Sequence, residues 1–172
     1  MAESPNCKLL CAFANQTEAA LWQTVNDNVM GGRSSGAASY ADGKLLFTGN
    51  INTNGGGFSS VRTALPHGVL EGMDLFQLRV LPDTRHYQLI LQTDALFGGR
   101  PVAYRADIQN LRPGNWSDGS VLFSELQPTV FGRPIPGPVF VASQARLLGI
   151  IIADGQNGAF HLEIETIHTC LL

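Results

Sequence analysis

Short stretches in which apolar and polar residues alternate, broken by glycine, proline and asparagine, set the limits on what this chain can become. Tyr87, Leu89, Leu91 and Thr93 oppose Gln88, Ile90, Gln92 and Asp94. Val102, Tyr104, Ala106 and Ile108 oppose Ala103, Arg105, Asp107 and Gln109, and Phe160, Leu162, Ile164 and Thr166 oppose His161, Glu163, Glu165 and Ile167. A period of two places alternate side chains on opposite faces of an extended strand. Lys8 to Ala14, Gly36 to Tyr40, Lys44 to Thr48, Phe58 to Thr63 and Leu75 to Leu81 read as further strands, and Trp116 to Phe123 contains another. Asp42-Gly43 marks a hairpin between two of them. Arg146 to Ala153 is nearly all apolar and suits a central strand covered on both faces. Roughly eight to ten strands of this kind, joined by turns, predict an all-β sandwich or barrel.

Helical signals are scarce. Thr17 to Gln23 reads as one or two turns, with Thr17 as N-cap and Trp22 docking inward. At most one or two short helices are expected. Pro128 to Pro138 is dense in proline and reads as an ordered loop or flap rather than a strand. No repeat period is visible, which excludes a solenoid or propeller.

At 172 residues the chain suits one domain over 1–172. Charged residues make up only 15%, which fits a turn-rich β protein. The net charge of −3 argues against non-specific nucleic-acid binding, which needs a basic footprint. Lys8 and Lys44 are its lysines, and most of the positive charge comes from Arg33, Arg62, Arg100, Arg105, Arg112 and Arg133. Arginine favours directional, forked contacts. Met1 to Asn6 carries neither a secretory leader nor an arginine-rich transit peptide. No apolar run reaches transmembrane length. Cys7, Cys11 and Cys170 are an odd set without a leader, so reduced thiols and a cytoplasmic location are expected. Cys7 and Cys11 share a strand face but lie too far apart to bridge.

The stretch from Trp22 to Arg62 concentrates glycine, asparagine and serine between apolar runs, with little charge. Such loops force the backbone into left-handed or closely approaching conformations. Gly32-Arg33-Ser34-Ser35-Gly36 matches a nucleophile-elbow pattern, but that motif needs a strand before it and a helix after it, and a strand follows here. Gly55-Gly56-Gly57 lacks the lysine and helix of a phosphate loop. The histidines show no ligand spacing, so no metal and no cofactor is expected, although Asp27, Asn28 and nearby carbonyls have the oxygen chemistry of a calcium site. Whether Asp27, Asp94, Asp107 and Asp154 converge is left open by sequence. Trp and Tyr are packing residues by default, and Trp116, between Asn115 and Ser117, is the least core-like.

Several of these segments together resemble the complex I intermediate-associated protein 30 family. They are Trp22 with Asn26-Asp27-Asn28-Val29-Met30-Gly31-Gly32-Arg33-Ser34, then Phe47-Thr48-Gly49-Asn50 and Asn54-Gly55-Gly56-Gly57-Phe58-Ser59-Ser60-Val61-Arg62. Tyr87-Gln88-Leu89, Pro128-Thr129 with Gly132-Arg133, and Leu148-Gly149-Ile150 with Asp154-Gly155-Gln156-Asn157-Gly158 extend the likeness from Leu9 to Ile167. Asp83-Thr84-Arg85-His86 departs from the more glycine-rich turn common there. The resemblance implies a galactose-binding-like jelly-roll sandwich and a non-catalytic role, and the bare domain is similar to the freestanding bacterial members, which are mostly without an assigned function. It implies an assembly factor for a respiratory or other membrane-bound complex, working through protein subunits and, in some relatives, RNA. A carbohydrate-binding module is the alternative on fold class and aromatics. The contact surface expected from the residues comprises Asn26, Asp27, Arg33, Ser34, Asn54, Arg62, Trp116, Arg133 and Gln156.

Overall fold

The computed structural model describes residues 6–172, so the leader reading at Met1 to Pro5 lies outside the described residues. Thirteen strands form among them: β1 (Cys7–Ala12), β2 (Gln23–Asn26), β3 (Ser35–Ala41), β4 (Lys44–Ile51), β5 (Ser59–Ala64), β6 (Leu75–Pro82), β7 (Tyr87–Phe97), β8 (Arg100–Asp107), β9 (Ser117–Leu122), β10 (Gln127–Val130), β11 (Arg133–Pro134), β12 (Leu147–Ile152) and β13 (Gly158–Cys170). They build two sheets. The first has the order β3-β4-β13-β6-β9, with β1 also paired to β13, and the second runs β11-β10-β8-β7-β12-β5-β2. The strand pairings among the described residues are all antiparallel, and the sheets pack face to face as a jelly-roll sandwich.

The alternation read from sequence decides which side chains meet between the sheets. Leu45, Phe47, Phe76, Leu78, Phe160 and Leu162 come from the first sheet, and Leu89, Leu91, Tyr104, Leu148 and Ile150 from the second; all are buried. Each such side chain contributes on the order of 1.5–3 kcal/mol by leaving water. Phe47 and Phe160 meet edge to face at 4.8 Å. Strand β12 sits between β7 and β5, and both of its faces are buried, as its apolar run predicts.

Four local readings are corrected. The only α-helix among the described residues, α1 (Gln16–Ala19), is capped by Asn15 and not by Thr17. Asn15 keeps an extended backbone and its Oδ1 accepts the Glu18 N–H at 3.1 Å, so the helix begins before Thr17. Trp22 does dock inward, against Phe13 at 5.8 Å. β2 is a strand that the asparagine- and glycine-rich surroundings conceal; Thr24 and Val25 give it β-branched side chains. The Pro128–Pro138 segment is not strand-free, because β10 and β11 make a hairpin there. Phe131 (φ 50°) and Gly132 (φ 75°) form its two-residue turn, and Pro134 lies on the sheet's edge strand, where a missing N–H is tolerated.

The fourth correction concerns the cysteines. Cys7 and Cys170 are register partners in β1 and β13, with Cα atoms 4.0 Å apart, and they form a disulfide across 163 residues. Three reduced thiols are therefore not what the fold holds, and the cysteine argument for a cytoplasmic location loses its ground. Cys11 remains free and buried; burial, reinforced by Glu18, pushes its thiol up to about 12, so it stays protonated and inert.

Candidate functional site

The glycine-rich loops close on one carboxylate. Asp27 opens a short 3-10 turn (Asp27–Met30) immediately after β2 and is 0% exposed. Its Oδ1 accepts the Ser34 N–H at 2.9 Å, and its Oδ2 accepts the N–H groups of Gly57 at 2.6 Å and Phe58 at 3.3 Å. Its own main chain is also satisfied: Asp27 N–H donates to Phe58 C=O at 3.2 Å, and Gly32 N–H donates to Asp27 C=O at 2.9 Å. Burial alone raises this carboxyl, but the hydrogen bonds from Ser34, Gly57 and Phe58 outweigh it and leave the pKa below the ordinary carboxylate value.

That arrangement explains two glycine motifs physically. A Cβ on Gly32 would stand 2.6 Å from Asp27 Oδ1, and one on Gly56 would stand 2.6 Å from Asp27 Oδ2. No L side chain fits at either place without moving the carboxylate. The Gly55-Gly56-Gly57 segment does gather N–H donors around an anion, as a phosphate loop does, but the anion is the chain's own Asp27. The same donors oppose calcium at Asp27, since a cation needs acceptor oxygens there. No cluster of three or more His, Cys, Asp or Glu side chains able to hold a metal exists among the described residues.

Neighbouring polar residues fasten this hub to the sheets. Asn26 Nδ2 donates to Gly36 C=O at 3.2 Å, and the Ser59 hydroxyl donates to Asn26 Oδ1. The Ser34 hydroxyl accepts from Asn52 N–H at 2.9 Å and donates to Asn52 C=O at 3.2 Å, so main chain rather than a base occupies it. Asn54 N–H donates to Asn52 Oδ1 at 2.9 Å, while its own side chain stays exposed. Asn157 Oδ1 accepts from Thr53 N–H at 2.7 Å, which ties the second loop to the turn before β13.

That turn is held by a residue the sequence reading did not single out. Arg85 donates from Nε and Nη2 to Asp154 at 2.8 and 2.7 Å, and to the carbonyls of Gln156, Gly158 and Ala159 at 2.6, 2.9 and 2.9 Å. The two side chains are 8% and 4% exposed. The Arg85 fork holds the Asp154 carboxyl below its ordinary value against the opposing effect of burial. The one visible signal was the Asp83-Thr84-Arg85-His86 departure itself, where an arginine stands in a turn that could have been glycine.

Asn26, Asp27, Arg33, Ser34, Asn54 and Gln156 thus belong to one loop cluster, with Arg33, Asn54 and Gln156 exposed and the others turned inward as its scaffold. The remaining three expected residues lie elsewhere. Arg62 is on the outer face of the second sheet, where Gln23, Arg62, Gly149, Ile90, Arg105 and Gln127 stand in register across six strands. Arg133 is on β11, at the far edge of that sheet and about 24 Å from β5 at the usual strand spacing. Trp116 precedes β9 on the first sheet, with Lys44 Nζ 5.2 Å and Arg79 Cζ 5.9 Å from its ring centroid. Two cations already lie over that ring.

Of the four aspartates, Asp107 and Asp154 share a neighbour in His86, whose main-chain N–H donates to Asp154 Oδ2 at 3.4 Å. Asp94 pairs with Arg146 at 3.1 Å, and Asp107 meets His86 Nε2 at 2.9 Å and the Gln88 amide at 2.8 Å. A depression of about 370 Å³ lies beside Asp107, lined in part by Gln88, Arg105, Gln127, Thr129 and Pro134.

A protein-family model described as complex I intermediate-associated protein 30 matches residues 11–164. Among curated proteins, none matches the chain significantly. Solved structures that resemble it include the family 11 carbohydrate-binding module from Clostridium thermocellum in complex with a β-1,3-1,4-mixed-linked tetrasaccharide, at 13% identity and TM-score 0.70, covering 98% of both chains. The family 11 module of the cellulosomal cellulase Lic26A-Cel5E from the same organism aligns at 13% identity and TM-score 0.71, over 99% of this chain and 97% of that one. An agarase aligns at 12% identity and TM-score 0.59, over 97% of this chain and 25% of its own. At such identities the likeness shows the galactose-binding-like sandwich fold alone.

Proposed function

The chain belongs to the complex I intermediate-associated protein 30 family, and from that premise we propose that it is a single-domain, non-catalytic binding module that helps assemble a respiratory or other membrane-bound complex through protein contacts. The observation that carries this reading is the loop cluster. Its buried polar groups are consumed in holding loop geometry, which leaves Arg33, Asn54 and Gln156 exposed on a preorganised frame. Preorganised loops lose little freedom on binding, and Arg33 is suited to directional contacts.

Affinity purification from the native host with mass spectrometry tests the reading. Subunits of one membrane-bound complex should be recovered, and a variant with alanine at Arg33, Asn54 and Gln156 should lose them. Recovery of no such subunits would overturn the assembly role. Undiminished capture by the folded triple variant would overturn the loop cluster as the contact surface.

A second reading, a carbohydrate-binding module, draws on the outer face of the second sheet. Gln23, Gln88 and Gln127 present amides there, beside Arg62, Arg105 and Asp107. Planar amides and guanidinium groups can serve the paired hydroxyls of a sugar. A glycan array that shows no binding would remove this alternative.

A further inference from the structure

Arg62 and Arg105 share one transverse row of the second sheet, separated only by Gly149 and Ile90. Their Cα atoms are three strand spacings apart, about 14 Å. Gly149 contributes no side chain to the middle of the row, and both it and Ile90 are buried there. A Cβ there would stand 2.9 Å from Arg62 Cγ and 3.0 Å from Ile90 Cγ2, so the Arg62 stem lies across the glycine. Arg62 Nε donates to the Ser60 hydroxyl at 2.9 Å.

Arg105 has no such partner. Among the described residues its guanidinium donates no hydrogen bond and forms no ion pair, and its Nε is wholly buried. Its guanidinium rests against Gly132, where a Cβ would come within 3.5 Å of Nη2. Burial lowers the pKa of both arginines, and the charge of Arg105 lowers Arg62 further. Two carboxylates line the same depression as Arg105: Asp107 is engaged by His86 and Gln88, and Glu125 accepts the Leu122 N–H at 3.4 Å. Two half-buried like charges that form no direct ion pair are destabilising, and an orphaned buried donor adds to the cost. A fold that keeps such an arrangement commonly does so at a functional site.

We propose that Arg62 and Arg105 form a seat on the outer face of the second sheet for a carboxylate carried by an acidic peptide segment of a partner protein. The inference rests on the binding-module reading above and names the chemistry of its partner. Guanidinium forks bind carboxylates through paired, charge-assisted bonds, and an incoming carboxylate supplies the missing counter-charge. The occupant is a peptide because the face offers a sugar no ring to stack on. The residues beside the central row, including Val25, Ser60, Ile151, Leu147, Gln92 and Ala103, contain no Phe, Tyr or Trp. Exposed apolar side chains instead stand beside the neighbouring hairpin turns: Leu96 and Phe97 at the end of β7, and Phe131 between β10 and β11, with Arg100 Cζ 5.0 Å from the Phe131 ring centroid. Aromatic and arginine anchors of this kind are what protein interfaces concentrate.

The test follows the arginine Nε–H signals by NMR during titration with an end-blocked Gly-Ser-Glu-Glu-Ser-Gly peptide and its glutamine counterpart. Both signals should move with the glutamate peptide, which should bind at least tenfold more tightly than the glutamine one. Arg62→Gln and Arg105→Gln should each weaken it at least tenfold, and Arg112→Gln should not. Unmoved Nε–H signals in the unaltered protein, or equal binding of the two peptides, would overturn the seat whatever the variants do. Binding of trigalacturonate without the glutamate peptide would overturn the peptide as occupant and place the carboxylate on a sugar. If this titration fails while host subunits are still captured through the loop cluster, the seat alone falls; if no subunits are captured, the assembly reading falls independently.

Discussion

The Asp27 loop cluster and the Arg62–Arg105 row solve opposite problems with the same kind of group. At Asp27 one buried charge meets three main-chain N–H donors and glycines that press against it. In the row, two like charges share one face of the sheet and one buried donor has no acceptor. The first arrangement is complete within the chain, so its worth is architectural. The second is incomplete, so its worth depends on something that arrives. A buried charge is therefore informative about function through its unmet partners rather than through its presence.

Breaking the complete site should have the largest effect. Asp27→Ala strands the N–H groups of Ser34, Gly57 and Phe58, and the expected loss is about 3–5 kcal/mol of unfolding free energy by urea titration. A loss below about 1 kcal/mol would deny that the hub is structural. Arg85→Ala strands the buried Asp154 carboxylate and should cost about 3–5 kcal/mol. The accompanying rise in hydrogen exchange should be confined to the turn at 154–158.

Gly56→Ala ranks next. Its methyl must displace Asp27, for about 1–3 kcal/mol. Gly98→Ala is the control for a glycine that touches nothing: its φ is +58°, and a Cβ there meets no atom within 4 Å. Its cost should be the smaller, about 1 kcal/mol from backbone strain.

Acid separates the two regions without mutation. The carboxyls of Asp27, Asp107 and Asp154 are all held below their ordinary values in the folded chain. Their stabilisation is therefore complete above the unfolded value near 3.8 and is lost as pH falls through the folded values. Amides of the 27–34 and 54–58 loops should lose exchange protection below about pH 4, while those of β12 persist. Loss of loop protection already at pH 6 would contradict the assignment. The smallest change is expected in the row: Arg105→Gln removes an unneutralised charge and should shift stability by less than about 1 kcal/mol, with an increase as the informative sign. Thermal unfolding measures it.

What sequence made legible follows the range over which each signal acts. The Asp42-Gly43 turn and the alternation in β7 and β8 need only neighbours, and they stand as read; in β13 the alternation holds from Phe160 to Ile164, and a bulge then turns Ile167 from the polar face into the core. Asp27 was visible as a candidate, but its donors lie seven, thirty and thirty-one residues away, and no local rule joins them. Arg85 and Asp154 are 69 residues apart, and Cys7 and Cys170 are 163 apart. The Arg62–Arg105 row requires the register of β5, β12, β7 and β8 together. The prolines of the 128–138 segment concealed a hairpin because the rule against proline in strands is relaxed at an edge.

The place of β13 governs the order in which the molecule can be made. It follows the other twelve strands of the described residues, yet it pairs with β4 along 158–164 and with β1 along 166–170, and with β6 on its other side. Until it leaves the ribosome, the first sheet has no centre, and the outer edges of β1, β4 and β6 stand open to unwanted strand pairing. The last strand made is the one that turns separate hairpins into a sandwich, so shielding of the nascent chain matters most just before synthesis reaches Cys170.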